Sequence, residues 1–171
     1  RRGLPPRFQV GDTIEHGNLL TQELAERMAR SAVYLVPTIV SFKAIAAASG
    51  IPEAYSKKAK VMVEASYNCV RLARQAGVKV ATGTDSGTGI NLSWNGHSLV
   101  QEIGLFVEKG GYSPMAAIKA ATSGSARALG VDYVVGSLQP GKAADVIAVA
   151  GNPLCDLDVL KAPVLVLRDG E

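Results

Sequence analysis

Aromatic residues are scarce in this chain. They make up 5% of it, so a core must come mainly from Ala, Val, Ile and Leu, and the hydrophobic content of 47% is enough to supply one. Cysteine is scarcer still: Cys69 and Cys155 stand alone, with no CxxC pair. That pattern argues against a disulfide framework and reads as two reduced thiols in a cytoplasmic protein. No apolar run approaches the roughly 20 residues of a membrane span, and Arg1 to Gln9 holds no apolar stretch of the signal-peptide kind. Charge of one sign is also missing. The net charge of +3 is too small and too evenly spread for a nucleic-acid surface. The densest basic cluster, Lys57, Lys58 and Lys60, is interleaved with apolar residues at helical spacing and reads as a solvated helix face.

What is present is a rhythm. Across 171 residues, enough for one ordinary domain, short apolar strands alternate with amphipathic helices, the pattern of a parallel α/β architecture. Thr13-Ile14-Glu15-His16 reads as a strand end closed by Gly17. A helix follows with Thr21 as N-cap and Leu24, Ala25, Met28 and Ala29 on its apolar side. Val33 to Val36 is a second strand, stopped by Pro37, and a short helical stretch lies around Lys43 to Ala48. Pro52 opens a long helix that Gly77 ends. Val78 to Ala81 is a third strand running into a glycine-rich loop, 82–87. That loop lacks the GxxxxGK[ST] spacing, so it is not a phosphate cradle. A helix from about His97 to Glu108 comes next, with Glu102 read as solvated or capping. Ser113-Pro114 caps and starts another helix through Ala121, and Ser123 caps a short one ending at Gly130. The texture changes near Gly136, where turn-rich sequence leads into two strands, 144–149 and 164–167, with no long helix between them.

Few residues suit chemistry. The chain has two histidines, His16 and His97. His16 sits where one strand runs out, and Asp85 sits in the same situation two strands later. In a parallel barrel, side chains at the C-terminal strand ends converge on one mouth, and imidazole with carboxylate suits a divalent metal such as zinc. Position alone leaves open a structural role for His16 and a turn or cap role for Asp85. His97 opens a helix, as a surface or capping residue or as a substrate-facing one. Thr38, just past its strand, is placed either to touch a ligand or to shape a turn.

Taken together and in order, the segments resemble the amidohydrolase superfamily, in particular imidazolonepropionases and metal-dependent dipeptidases. Asp12-Thr13-Ile14-Glu15-His16-Gly17 is similar to their sixth strand, Val33 to Thr38 to the seventh, and Gly77 to Gly87 to the eighth. Ser113-Pro114-Met115-Ala116-Ala117-Ile118 and Ala120-Ala121-Thr122 match the helix that follows. Gly136 to Asp145, Gly151-Asn152-Pro153-Leu154 and Arg168-Asp169-Gly170 resemble the return of such chains into a small β-sandwich.

The resemblance implies a partial (β/α)8 TIM barrel, strands six to eight with their helices, over residues 1–135, and strands of a β-sandwich over 136–171. It implies one or two divalent metal ions, zinc by preference. His16 would be a ligand and Asp85 both a ligand and the general base for hydrolysis of an amide, dipeptide or related C–N bond in a small molecule. Thr38 and His97 would face that substrate. The family's HxH pair, its lysine or glutamate on strand four and its histidine on strand five have no counterpart here, and Pro5-Pro6 interrupts the helix expected before strand six. Two further readings therefore stand beside the hydrolase: a catalytically incomplete piece that self-associates into a homo-oligomer, and a binding module that has lost hydrolysis.

Overall fold

The computed structural model describes residues 13–86 and 97–171; the readings placed on Pro5-Pro6, Asp12 and Gly87 lie outside the described residues. Three short strands, β1 (Thr13–Glu15), β2 (Tyr34–Val36) and β3 (Lys79–Val80), form a parallel sheet in that order. Ile14 pairs with Leu35, and Leu35 with Val80. Parallel neighbours need crossovers, which α1 (Gln22–Ala29) supplies for the first pair and α2 (Ile39–Ala47) with α3 (Glu53–Ala76) for the second. The ladder is shorter than the apolar runs suggest: Val33, Val78 and Ala81 fall outside it, although the Ala81 amide still donates to the Leu35 carbonyl at 3.0 Å.

Local chemistry sets the helix ends. Thr21 is extended and accepts from the Leu24 amide at 3.3 Å, satisfying one of the free donors of the first turn of α1. Gly77 ends α3 in the left-handed region at φ 76°, and the Val78 amide reaches back to the Ala73 carbonyl at 2.8 Å. Lys57, Lys58 and Lys60 lie exposed along α3, with Lys57 paired to Glu53 at 2.8 Å. The helix reading for Lys43 to Ala48 is corrected at its start, because the helix begins at Ile39, directly after Thr38.

α3 divides the core. Cys69 and Ala73 pack with Ala25, Met28, Leu35 and Val78 on one side. Val70 packs with Ile39, Phe106 and Ala117 on the other, where α4 (Ser98–Glu108) lies. Phe106 is the one fully buried aromatic ring among the described residues, 5.3 Å from the ring of Tyr112.

Ser123 does not cap a separate helix. α5 (Pro114–Lys119), capped by Ser113, runs through a π-helical turn (Ala120–Gly124) straight into α6 (Ser125–Ala128). The wide turn brings Gly124 against β3: a Cβ there would lie 2.9 Å from the Val80 carbonyl oxygen. Ser125 Oγ donates to the Ala120 carbonyl at 2.8 Å and accepts from the Thr82 amide at 3.3 Å. The insertion thus pins the exit of β3. Further on, β4 (Val146–Val149) and β5 (Pro163–Leu167) pair antiparallel, joined through a 3-10 turn (Leu157–Lys161). Val164, Leu165 and Val166 are all exposed, so successive residues on both faces of this ribbon meet solvent.

Of the two roles the sequence allows Glu102, solvated or capping, the structure gives the second. The residue is 0% exposed, and its carboxylate accepts from the Ile39 amide at 3.0 Å and the Val40 amide at 2.8 Å. It lies one helical turn before the buried Phe106, on the face of α4 that meets α2, which is why it is carried inward. Burial pushes its carboxyl up to about 7, against the opposing pull of the two amides and of the Lys43 ammonium.

The folded chain therefore holds the Glu102 proton more tightly than the unfolded chain, whose ordinary value is near 4.5. The stabilising contribution is complete below that value and is lost as pH rises through about 7. Urea unfolding of wild type and Glu102→Gln at pH 5 and pH 8 checks this. Wild type should lose stability relative to the variant over that interval, by an amount on the order of 1–3 kcal/mol; parallel pH profiles refute it. The thiols give a second test. Cys69 is 1% exposed with its thiol pushed up to about 12 by burial, whereas Cys155 is exposed. An aromatic disulfide reagent should titrate one thiol in native buffer and the second only after denaturant is added, since the thiolate is the reactive form. Equal rates for both thiols in native buffer contradict it.

Candidate active site

Beyond each of the three parallel strands lies a residue with an unusual backbone. His16 follows β1 at φ 66°, Thr38 follows β2 at φ 51°, and Asp85 lies past β3 at φ 50°. Left-handed backbone is uncommon outside glycine, and for a β-branched residue such as Thr38 it is a genuine outlier that costs about 1–3 kcal/mol. All three turns lie at the C-terminal side of one sheet, where the register aligns Glu15 with Val36 and Leu35 with Val80. β2 separates the strands that carry His16 and Asp85, so they are next-nearest rather than adjacent neighbours.

The side chains are wired together. His16 Nδ1 lies 2.7 Å from Thr38 Oγ1. Three residues on, the Ser41 amide donates to the Thr38 carbonyl at 3.2 Å, and Ser41 Oγ donates to Asp85 Oδ2 at 3.2 Å. Thr38 and Ser41, both buried, thus join the imidazole to the carboxylate through the first turn of α2. Phe42, on the same turn, meets the His16 ring edge-on at 5.5 Å. Beneath His16, Gly17 continues the left-handed turn at φ 62°; a Cβ on it would stand 2.5 Å from Leu35 Cδ1. The first turn of α2 is in turn the one that Glu102 holds.

The donor chemistry fits a divalent cation. With Nδ1 engaged by Thr38, the Nε2 edge of His16 is the one left to bind, and Asp85 is exposed with one oxygen occupied by Ser41. The donor number does not close a site: no group of three or more His, Cys, Asp and Glu is gathered among the described residues, and a zinc centre takes three protein ligands or more. His97 stands at the start of α4, half-buried, in the helix that carries Glu102. Among the described residues no helix is long and apolar enough to cross a membrane.

Ser41 and Glu102 escaped the sequence reading as parts of this site. Glu102 had a signal, since Leu105 and Phe106 at i+3 and i+4 mark its face of α4 as apolar. Ser41 had none, because its partner depends on how a loop from another strand folds back.

Known proteins match this chain over most of its length. Ochratoxinase of Aspergillus niger is 31% identical over 168 residues, which cover 95% of this chain and 33% of that protein. The chain therefore spans about a third of the length of this curated relative. Among solved structures, a Xaa-Pro dipeptidase with methionine bound in its active site superimposes with a TM-score of 0.82 at 35% identity, over 93% of this chain and 39% of that one. The crystal structure of A. niger ochratoxinase superimposes with a TM-score of 0.77 at 30% identity, over 94% of this chain and 36% of the other. Because the sequence model described as "Amidohydrolase family" also matches residues 7–171, nearly the whole chain, the protein belongs to the amidohydrolase family.

Proposed function

We propose that this chain is the part of a C–N bond hydrolase that carries strands six to eight of a (β/α)8 barrel, with 136–171 contributing strands to a β-sandwich. The observation that carries the reading is the hydrogen-bonded rim from His16 through Thr38 and Ser41 to Asp85. Its substrate class is a small amide, a dipeptide or an N-acyl amino acid. The relatives named above, an ochratoxinase and a Xaa-Pro dipeptidase, support that choice.

In this reading His16 Nε2 and Asp85 hold a divalent cation, zinc by preference, together with ligands from elsewhere in the whole protein. When bound, the cation polarises the scissile carbonyl and acidifies a water. Asp85 takes the proton from the attacking water and delivers it to the departing amine. Ser41, donating to Oδ2, fixes the carboxylate so that its other oxygen faces the reaction. Thr38 keeps the imidazole from rotating, and His97 faces the side from which substrate approaches.

A second reading, a catalytically incomplete piece that self-associates, is favoured by the β4–β5 ribbon, where Val164 is 67% exposed and its neighbours Leu165 and Val166 are also open.

The assay for the first reading is hydrolysis of Xaa-Pro dipeptides and N-acyl amino acids by the whole protein. Asp85→Asn should lower kcat by a factor on the order of a hundred to ten thousand. A chelator should abolish turnover, and zinc should restore it. No turnover on either substrate class, or full activity in Asp85→Asn, ends the reading. For the second, the 171-residue chain should sediment as an oligomer; a monodisperse monomer with cooperative unfolding refutes it.

A further inference from the structure

A helix beginning at Ile39 must find acceptors for its first free amides, and the residue before it, Thr38, is of the type that normally provides one through its hydroxyl. Here it does not. Thr38 is left-handed and makes no side-chain cap bond, because its hydroxyl is engaged with His16 Nδ1 at 2.7 Å. The acceptors come instead from 63 residues away in sequence, where the Glu102 carboxylate takes the Ile39 and Val40 amides on separate oxygens at 3.0 and 2.8 Å. The exchange frees the threonine for the rim and leaves the helix start dependent on α4.

Resting on the hydrolase reading above for what the rim does, we propose that Glu102 is a positioning residue: by capping α2 in place of Thr38, it fixes the turn from which Thr38 orients His16 and Ser41 orients Asp85. Glu102 touches neither His16 nor Asp85. Its influence passes through two backbone amides and a single helical turn. A charge-assisted bond from a carboxylate to a helix N-terminus also has the favourable sign for the helix dipole. Simple packing of α4 on α2 needs only apolar side chains and would leave the two amides unsatisfied, so the carboxylate answers a demand that arises because Thr38 is engaged elsewhere.

Imidazole nitrogen spectra of the full chain test this directly, since its two histidines give two sets of ring signals. Thr38→Val identifies the His16 response by removing its partner. Glu102→Ala, which reaches neither amide, should move the His16 signals in the same direction as Thr38→Val. Glu102→Gln, keeping the volume and one acceptor, should move them less and in the same sense. A Glu102→Ala or Glu102→Gln chain that unfolds cooperatively yet keeps wild-type His16 signals overturns the proposal. Hydrogen exchange in the unsubstituted chain gives a check free of folding defects. The Ile39 and Val40 amides should exchange slower than exposed amides by a factor on the order of ten or more, and fast exchange at both overturns it as well. Neither measurement uses metal or substrate. Failure here leaves the hydrolysis assay standing, and failure of that assay leaves these spectra as they are.

Discussion

Taking a carboxylate out of water costs several kcal/mol unless its oxygens find donors. Glu102 finds two, and they are the amides that α2 leaves open at its start. Each side of this contact is costly without the other: the carboxylate as an unpaired buried charge, the amides as orphaned buried donors. Both costs are lessened only when α4 lies against the first turn of α2, so the contact selects one arrangement of the helices with a specificity that Ile39 and Phe106, packing nearby, do not provide. Apolar contact is tolerant of sliding by an ångström; a carboxylate bridging consecutive amides is not.

The same turn lies next to the strain. Three residues with left-handed backbone, at about 1–3 kcal/mol each, are a substantial load on a domain whose net stability is of order 5–15 kcal/mol. Glycine would relieve it at every one of these positions, yet His16, Thr38 and Asp85 all carry side chains that the hydrogen bonds of the rim use. The strain persists because each residue is held from the side: His16 by Thr38, Asp85 by Ser41, and Thr38 by the helix that begins with it. Strain of this kind at strand ends aims side chains where unstrained turns would not place them.

Much of this was legible in the sequence, for physical reasons. The Thr21 cap, the Gly77 stop and the Ser113-Pro114 start are local, each set by residues within one turn of the event, and local chemistry is what a sequence displays. His16 and Asp85 could be placed at strand ends because the apolar runs before them end where polar or glycine residues begin. What was hidden depends on contacts across the chain. Ser123 looks like a cap, but the π-helical turn there answers to the close approach of Gly124 to the Val80 carbonyl, a tertiary demand. Thr38 offers no sign that its hydroxyl serves a histidine 22 positions earlier. Glu102 showed only a conflict, a charged residue on an apolar face, and such conflicts mark the places where function or specificity overrides local preference.

Strands and helices divide the work at this rim. The parallel sheet fixes where His16 and Asp85 emerge, because its register fixes the level at which each strand ends. It leaves open how far each side chain is turned about its own bonds. That second choice belongs to Thr38 and Ser41, anchored through α2 to a buried carboxylate on α4. Loops above such a rim are free to vary in length and composition without disturbing its geometry, since the determinants of orientation lie below them in packed helices. This separation lets the strained, hydrogen-bonded rim keep its geometry while the loops above it change, because those loops do not hold it in place.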